Sequence, residues 1–364
     1  MLFPIKHENM TARRWPVITL GLIAVNFLIF LGTHGAMERQ DAAFFPVETH
    51  VVILAAQHPE LTVPPEARQV VADFQAYDPD DWAEMQSPNF KAMDDWDARM
   101  RSVDDPEQLQ TEMDSVATEY AKLAASSITQ RYAFVPAHPR PIAYLSSNFL
   151  HGGWLHLIGN MWFLWLAGFV LEDAWGRPLY LVFYLIAGAA ATQIDGWASH
   201  GSIGPTLGAS GAIAALMGAF LVRFPKLKIR LMWLFGSWLS GLYPLWVRAY
   251  WLLPLWLGME MYYGAVSGRA DDVAHWAHVG GFLFGALAAL AMRYSGLEHK
   301  ANNAIEEKVS WTTDPEINQA RDLMEQGKLD DAAAILSKYV VGQPDSFNAW
   351  GLLRIVHWRN NEIP

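Results

Sequence analysis

Cysteine is absent from the 364 residues of the chain. That removes disulfide frameworks, thiol nucleophiles and thiolate metal sites together, so any catalysis has to rest on Ser, His, Asp or Glu. The run His-Glu-x-x-His is also missing, which leaves a metalloprotease only weaker ligand sets such as His275 with His278 or His151 with His156. An esterase elbow, Gly-x-Ser-x-Gly, fails because Ala212 fills its last position. A Ser-Lys dyad fails for want of a lysine near Ser210. No internal duplication is evident and the apolar segments carry few charges, which argues against a transporter. Charged residues make up only 17% of the chain, whereas 52% is apolar and 17 residues are Trp. Such a composition belongs to a polytopic membrane protein.

The net charge of -11 is local. Between Ala36 and Arg140 there are 19 acidic and 8 basic residues, which accounts for the whole excess. An insert of that sign repels phosphates, so nucleic acid is excluded as its partner.

Six apolar stretches are expected to span a bilayer: about Trp15 to Thr33, Trp154 to Val170, Pro178 to Trp197, Leu207 to Val222, Val247 to Ala265 and Val273 to Met292. A cleaved signal peptide is the competing reading of the first, but its apolar region would be unusually long. Arg13 and Arg14 precede the first stretch, Arg177 follows the second, five basic residues from Arg223 to Arg248 lie between the fourth and fifth, and Arg293 and Lys300 follow the sixth. By the positive-inside rule both termini are then cytoplasmic. Met232 to Trp246 is apolar but short and broken by Gly and Pro, and reads as an interfacial helix or hairpin.

The expected fold is therefore an all-α polytopic membrane protein with four regions. Residues 1–35 hold the amino terminus and first span, 36–140 the acidic and mostly helical non-cytoplasmic insert, 141–295 the remaining spans, and 296–364 a cytoplasmic tail. Pro and Asp punctuate the insert around Asp78 to Asp81 and Asp94 to Asp97. Asp105 caps a helix with Pro106 in its first turn and an apolar stripe of Leu109, Met113, Val116, Tyr120 and Leu123. In the tail, Ala320, Gly327, Leu329, Ala332, Leu336, Tyr339 and Pro344 fall where a tetratricopeptide repeat places its packing residues, with a new helix near Phe347. A generic helical hairpin is the alternative.

Chemistry concentrates in three segments. Gly208-Ala209-Ser210-Gly211 opens the fourth span, where free backbone donors and the helix dipole favour negative charge. Ala277-His278-Val279-Gly280-Gly281 lies in the sixth, with His278 about two turns from its start. Nucleophile and base in apolar spans are a functional site by default. Gly208 and Gly211 permit close approach to Ser210, and the Gly281–Gly285 step lets the sixth span pack tightly on the fourth. On the second span His156 and Asn160, four residues apart, share one helical face and could both donate towards an oxyanion.

The ordered set resembles the rhomboid family of intramembrane serine proteases: His156-x-x-x-Asn160, Gly208-x-Ser210-Gly211, and Ala277-His278 with Gly281 and Gly285, together with Phe149-Leu150-His151-Gly152-Gly153-Trp154. The resemblance implies a Ser210 nucleophile, a His278 base, and an oxyanion site of His156, Asn160 and the Ser210 amide. Glu172 and Gly176 match a Glu-x-x-x-Gly that looks structural. No third carboxylate is implied, so Asp195, Asp271 and Asp272 carry no catalytic role, and neither metal nor organic cofactor is implied. Departures are the missing Trp-Arg pair before the second span and Ala214, where some members place an aromatic ring on the catalytic His. Glu260 falls in the fifth span, laterally mobile in that family, and reads as a protonated packing residue. The implied function is cleavage of transmembrane protein substrates within the lipid bilayer. The absence of Cys and of long disordered tails fits a bacterial inner membrane. A protein partner would bind the insert or the tail. The alternative is a catalytically silent membrane adaptor or chaperone.

Overall fold

The computed structural model describes residues 2–7, 15–77, 79–87, 90, 105–202, 204–233, 245–266, 273–298, 315–344 and 346–360. Asp78, Asp94 to Asp97, Asp271, Asp272, Arg13, Arg14, Lys300 and the centre of the Trp-rich stretch lie outside the described residues. The chain divides into two compact units, one containing Pro16–Glu298 and the other the tail after it.

The first unit begins with strand β1 (Leu2–His7) and helix α1 (Val17–Gln57). At 41 residues α1 is about 60 Å long, roughly twice a bilayer's hydrocarbon thickness. It runs unbroken past Thr33 and through Pro46, so the first span and the beginning of the insert are one rod. The far half buries Val51, Val52, Leu54 and Ala55 against α2 (Arg68–Tyr77), α3 (Pro79–Met85) and α4 (Pro106–Ser126). In α4 the Asp105 carboxylate accepts the Glu107 amide at 3.1 Å, and Leu109, Met113 and Val116 are buried. Gln40 clips α1 to the end of this layer by accepting from the Ile128 amide and donating to the Ser126 carbonyl, at 3.0 and 3.1 Å.

The short helices α5 (Ile128–Tyr132) and α6 (Ala143–Ser146) lead to α7 (Trp154–Trp175), α8 (Arg177–Ala198), α9 (Ser210–Arg223), α10 (Ala249–Val266) and α11 (His275–Ser295). All six apolar stretches are helical. Among the described residues, α1, α7, α8 and α11 are long and apolar enough to cross a membrane, and α9 is a shorter apolar helix of 14 residues. Their outward faces stay apolar, with Leu155, Val182, Ile186 and Leu287 exposed, which suits lipid as the surrounding solvent.

Buried Glu172, near the carboxyl end of α7, accepts hydrogen bonds from the amides of Ile18 and Thr19 at 3.0 and 2.7 Å and from the Thr19 hydroxyl at 2.8 Å. A carboxylate on the first turn of α1 satisfies amides that have no helical partner and complements the helix dipole. Gly176, at φ 78°, then turns the chain into α8.

The all-α expectation needs one correction. Strands β2 (Lys228–Trp233) and β3 (Leu245–Arg248) pair antiparallel, and β1 pairs antiparallel with the other edge of β2, giving the order β1-β2-β3. The signal was present in Lys226-Leu-Lys-Ile-Arg-Leu231, where basic and apolar residues alternate with a period of two. Ile229 and Leu231 are buried. The Trp162 indole donates to the Pro4 carbonyl at 2.8 Å and ties the sheet to α7.

The second unit holds α12 (Pro315–Glu325), α13 (Leu329–Gly342) and α14 (Phe347–Arg359), packed around Ala320, Ala332, Leu336, Ala349 and Leu353. Gly327, at φ 77°, makes the turn between the first two.

Replacing Glu172 by Ala leaves three donors, two of them buried, without this acceptor and should cost about 3 kcal/mol of stability. Thermal unfolding in detergent measures it, and an unchanged midpoint would show that α1 does not depend on this cap.

Candidate active site

Helix α9 starts at Ser210. The Ala209 carbonyl takes the Ile213 amide at 3.0 Å, so the amides of Ser210, Gly211 and Ala212 precede the first amide that donates within the helix. Three free donors at the positive end of a helix form an anion site. Gly208, two residues earlier, has φ +121°, a conformation that side chains rarely adopt. A Cβ placed there would lie 2.6 Å from Nε2 of His156 and 3.5 Å from Nδ2 of Asn160. His156 and Asn160 therefore face the loop that delivers Ser210, as their four-residue spacing on α7 requires. The Asn160 amide nitrogen is buried and makes no hydrogen bond. His151 is fully buried, and its ring meets that of His156 edge-on with centroids 5.2 Å apart.

Helix α11 brings His278 to the same place by backbone contact. A Cβ at Gly281 would collide with the Gly211 carbonyl, one at Gly285 with the Ala215 carbonyl, and one at Gly218 with the Phe282 carbonyl. Gly211 in turn faces Ala277, whose carbonyl lies 3.6 Å from the position its own Cβ would take. Ser210 and His278 are the sequence neighbours of this Gly211–Ala277 contact. Since α11 begins at His275, His278 lies in its first turn and not two turns down. Asp195 on α8, buried, accepts the Thr206 hydroxyl at 3.0 Å and so anchors the loop before Ser210.

Nδ1 of His278 lies 2.8 Å from Oε2 of Glu260, and Nδ1 of His275 lies 2.7 Å from the same oxygen. One oxygen this close to two imidazole nitrogens is an acceptor for at least one, so Glu260 is not simply a protonated packing residue. Trp256, one turn earlier on α10, sets its ring 6.1 Å from that of His278 and 5.9 Å from Phe282. With Ala214 offering no ring, this aromatic neighbour of His278 comes from another helix. The missed signal was the spacing itself: Trp256 with Glu260 and His278 with Phe282 are both four apart, so two faces match. Among the described residues the hydrogen bonds of His278 run to Glu260 and, from its backbone, to Ala274, and none to Ser210. Contacts between nucleophile and base are commonly long until a substrate closes them.

Ligand atoms of Glu260, His275 and His278 all lie within 4.8 Å of one another, the one set among the described residues that could hold a metal ion.

Residues 139–295 match the Rhomboid domain family. Over 155 residues the chain is 30% identical to the presenilin-associated rhomboid-like protein A, mitochondrial, of Danio rerio, a stretch that is 40% of this chain and 36% of that protein. The human presenilin-associated rhomboid-like protein, mitochondrial, is 30% identical over 92 residues, 25% of this chain and 24% of its own length. Rhomboid protein 1, mitochondrial, of Saccharomyces cerevisiae is 33% identical over 109 residues, 28% of this chain and 31% of its own. The chain thus spans about a third or less of the length of these relatives. Together the domain match and the relatives support the rhomboid family. They also correct the expectation of a bacterial inner membrane with cytoplasmic termini, because relatives named as mitochondrial point to a mitochondrial membrane. The integral membrane reading stands.

Gly285→Ala should force α9 and α11 apart, because the added methyl group meets the Ala215 carbonyl, and should lower the thermal unfolding midpoint in detergent while keeping most of the helical circular dichroism. An unchanged midpoint would show that the two backbones do not need this close approach.

Proposed function

We propose that this protein is an intramembrane serine endopeptidase that cleaves transmembrane segments of membrane proteins with Ser210 as nucleophile and His278 as base. The observation that carries the reading is the convergence of Ser210, His278, His156 and Asn160 on the free amino end of α9. Nucleophilic attack on a peptide carbonyl needs a base for the hydroxyl proton and donors for the oxyanion. In this reading His278 accepts the Ser210 proton and returns it to the leaving amine, and His156, Asn160 and the Ser210 amide hold the oxyanion.

A helical substrate shields its peptide bonds, so it must unwind locally before Ser210 can reach a carbonyl, and small or helix-weakening residues should favour cleavage. Six spans form the bundle, with α9 and α10 completing the four longer helices. A helix of 14 residues covers about 21 Å, less than the roughly 30 Å hydrocarbon layer, which lets α9 begin below the surface while water reaches its first turn. The relatives' names support a mitochondrial membrane as the site of action. The tail reads as one tetratricopeptide-like repeat and the first helix of another, and either the tail or the acidic insert offers a surface for a protein partner.

A serine-reactive fluorophosphonate should label the detergent-purified protein, and Ser210→Ala and His278→Ala should each abolish labelling while leaving the helical content intact. Asn160→Ala should slow labelling without abolishing it, because other donors remain. Failure of the folded wild type to label, or full labelling of either variant, would overturn the dyad and leave the silent adaptor as the better reading.

A further inference from the structure

We infer that Glu260 is a positioning residue for the proposed base: its carboxylate holds the proton of His278 on Nδ1, so that Nε2 is the free acceptor facing the serine. The inference rests on the Ser210–His278 reading and adds a third member that the family resemblance does not imply.

A neutral imidazole carries one proton, and the nitrogen that holds it is decided by the partner of the other. Oε2 of Glu260 lies 2.8 Å from Nδ1 of His278. With Glu260 ionised, as this inference has it, the carboxylate can only accept, which makes Nδ1 the protonated nitrogen and Nε2 the basic one. The ring is fixed as well as its tautomer, since Trp256 lies along it and its backbone is pinned by the contacts of Gly281 and Gly285 with α9.

When Ser210 Oγ attacks a carbonyl carbon, its proton passes to Nε2 and the imidazolium formed keeps its Nδ1 proton on Glu260. That proton then leaves Nε2 for the departing amine nitrogen as the C–N bond breaks. Glu260 changes protonation in neither step. Its negative charge beside a transient positive one matters more in an apolar surrounding than in water. The other ionisable groups facing His278 are His275 on its own helix, Asp195 on α8 and His156 on α7. Among all the described ionisable groups around His278, Glu260 is the carboxylate within hydrogen-bond distance of the ring.

Nδ1 of His275 lies 2.7 Å from the same oxygen, and the alternative is a metal held by the three side chains. A metal on Nδ1 would leave the His278 proton on Nε2, where the ring could not accept one from Ser210. Metal occupancy and base function are mutually exclusive here, and the direct hydrogen bonds favour the latter.

The test combines kinetics with histidine nitrogen chemical shifts on the full-length protein in detergent. In Glu260→Gln, kcat for a transmembrane reporter should fall by about 10²–10⁴-fold with KM within about threefold of wild type. Glu260→Asp should recover part of the loss, and His275→Ala should lose less than Glu260→Gln because the bond to His278 survives. With nitrogen-15 histidine, the resonance missing from His278→Ala should show a protonated Nδ1 in wild type and shift towards the other tautomer in Glu260→Gln. A wild-type kcat in Glu260→Gln, an Nε2-protonated His278 in wild type, or activity lost to EDTA and restored by Zn²⁺ would each overturn the inference. If Ser210 does not label in wild type, the proposed function fails; if it labels equally fast in wild type and Glu260→Gln, only the role of Glu260 fails.

Discussion

The contact on which the rest depends is the meeting of two helix backbones, α9 against α11, with no side chain between them. Gly211, Gly218, Gly281 and Gly285 make it, and at three of these positions a single methyl group would run into a carbonyl of the other helix. Apolar side chains gain little from one another where the solvent is itself apolar, so small residues and close backbones carry association in a bilayer. In the proposed mechanism the same closeness matters for the chemistry, because Ser210 and His278 adjoin the contact.

Three buried or partly buried carboxylates then lock the neighbours around that pair. Glu172 takes the first amides of α1, Asp195 takes the hydroxyl of Thr206 in the loop before α9, and Glu260 lies within hydrogen-bond distance of two imidazoles of α11. A carboxylate in an apolar setting is costly unless its oxygens are hydrogen-bonded. Each of these is bonded to a different element from its own, so each converts a cost into a specified arrangement. The effect accumulates at His278, which is held by α9 through backbone contact and by α10 through Trp256 and Glu260. Helix α10 otherwise buries little, with Ala249 and Leu253 its buried residues.

Much of this arrangement is legible in the amino-acid sequence. Apolar runs mark the six helices, and the four-residue spacing of His156 and Asn160 places them on one face. Glycine steps point to tight packing, and Asp105 with Pro106 marks the start of α4. What stays hidden is long-range. Glu172 is a cap for a helix more than 150 residues away, and Glu260 meets His278 across a gap of 18 residues, pairings that local periodicity does not encode. The sheet is masked because alternating Lys, Leu, Ile and Arg look like membrane-flanking charge. The length of α1 is masked because hydropathy ends at the membrane surface whereas the helix does not.

The most direct test of intramembrane proteolysis is to reconstitute the protein into liposomes with a single-span reporter helix and map the cut by mass spectrometry. The expected result is a Ser210-dependent cut inside the reporter's transmembrane segment, near the face at which α9 begins. An intact reporter beside folded wild-type protein, or a cut confined to its soluble flanks and unaffected by Ser210→Ala, would contradict cleavage within the membrane.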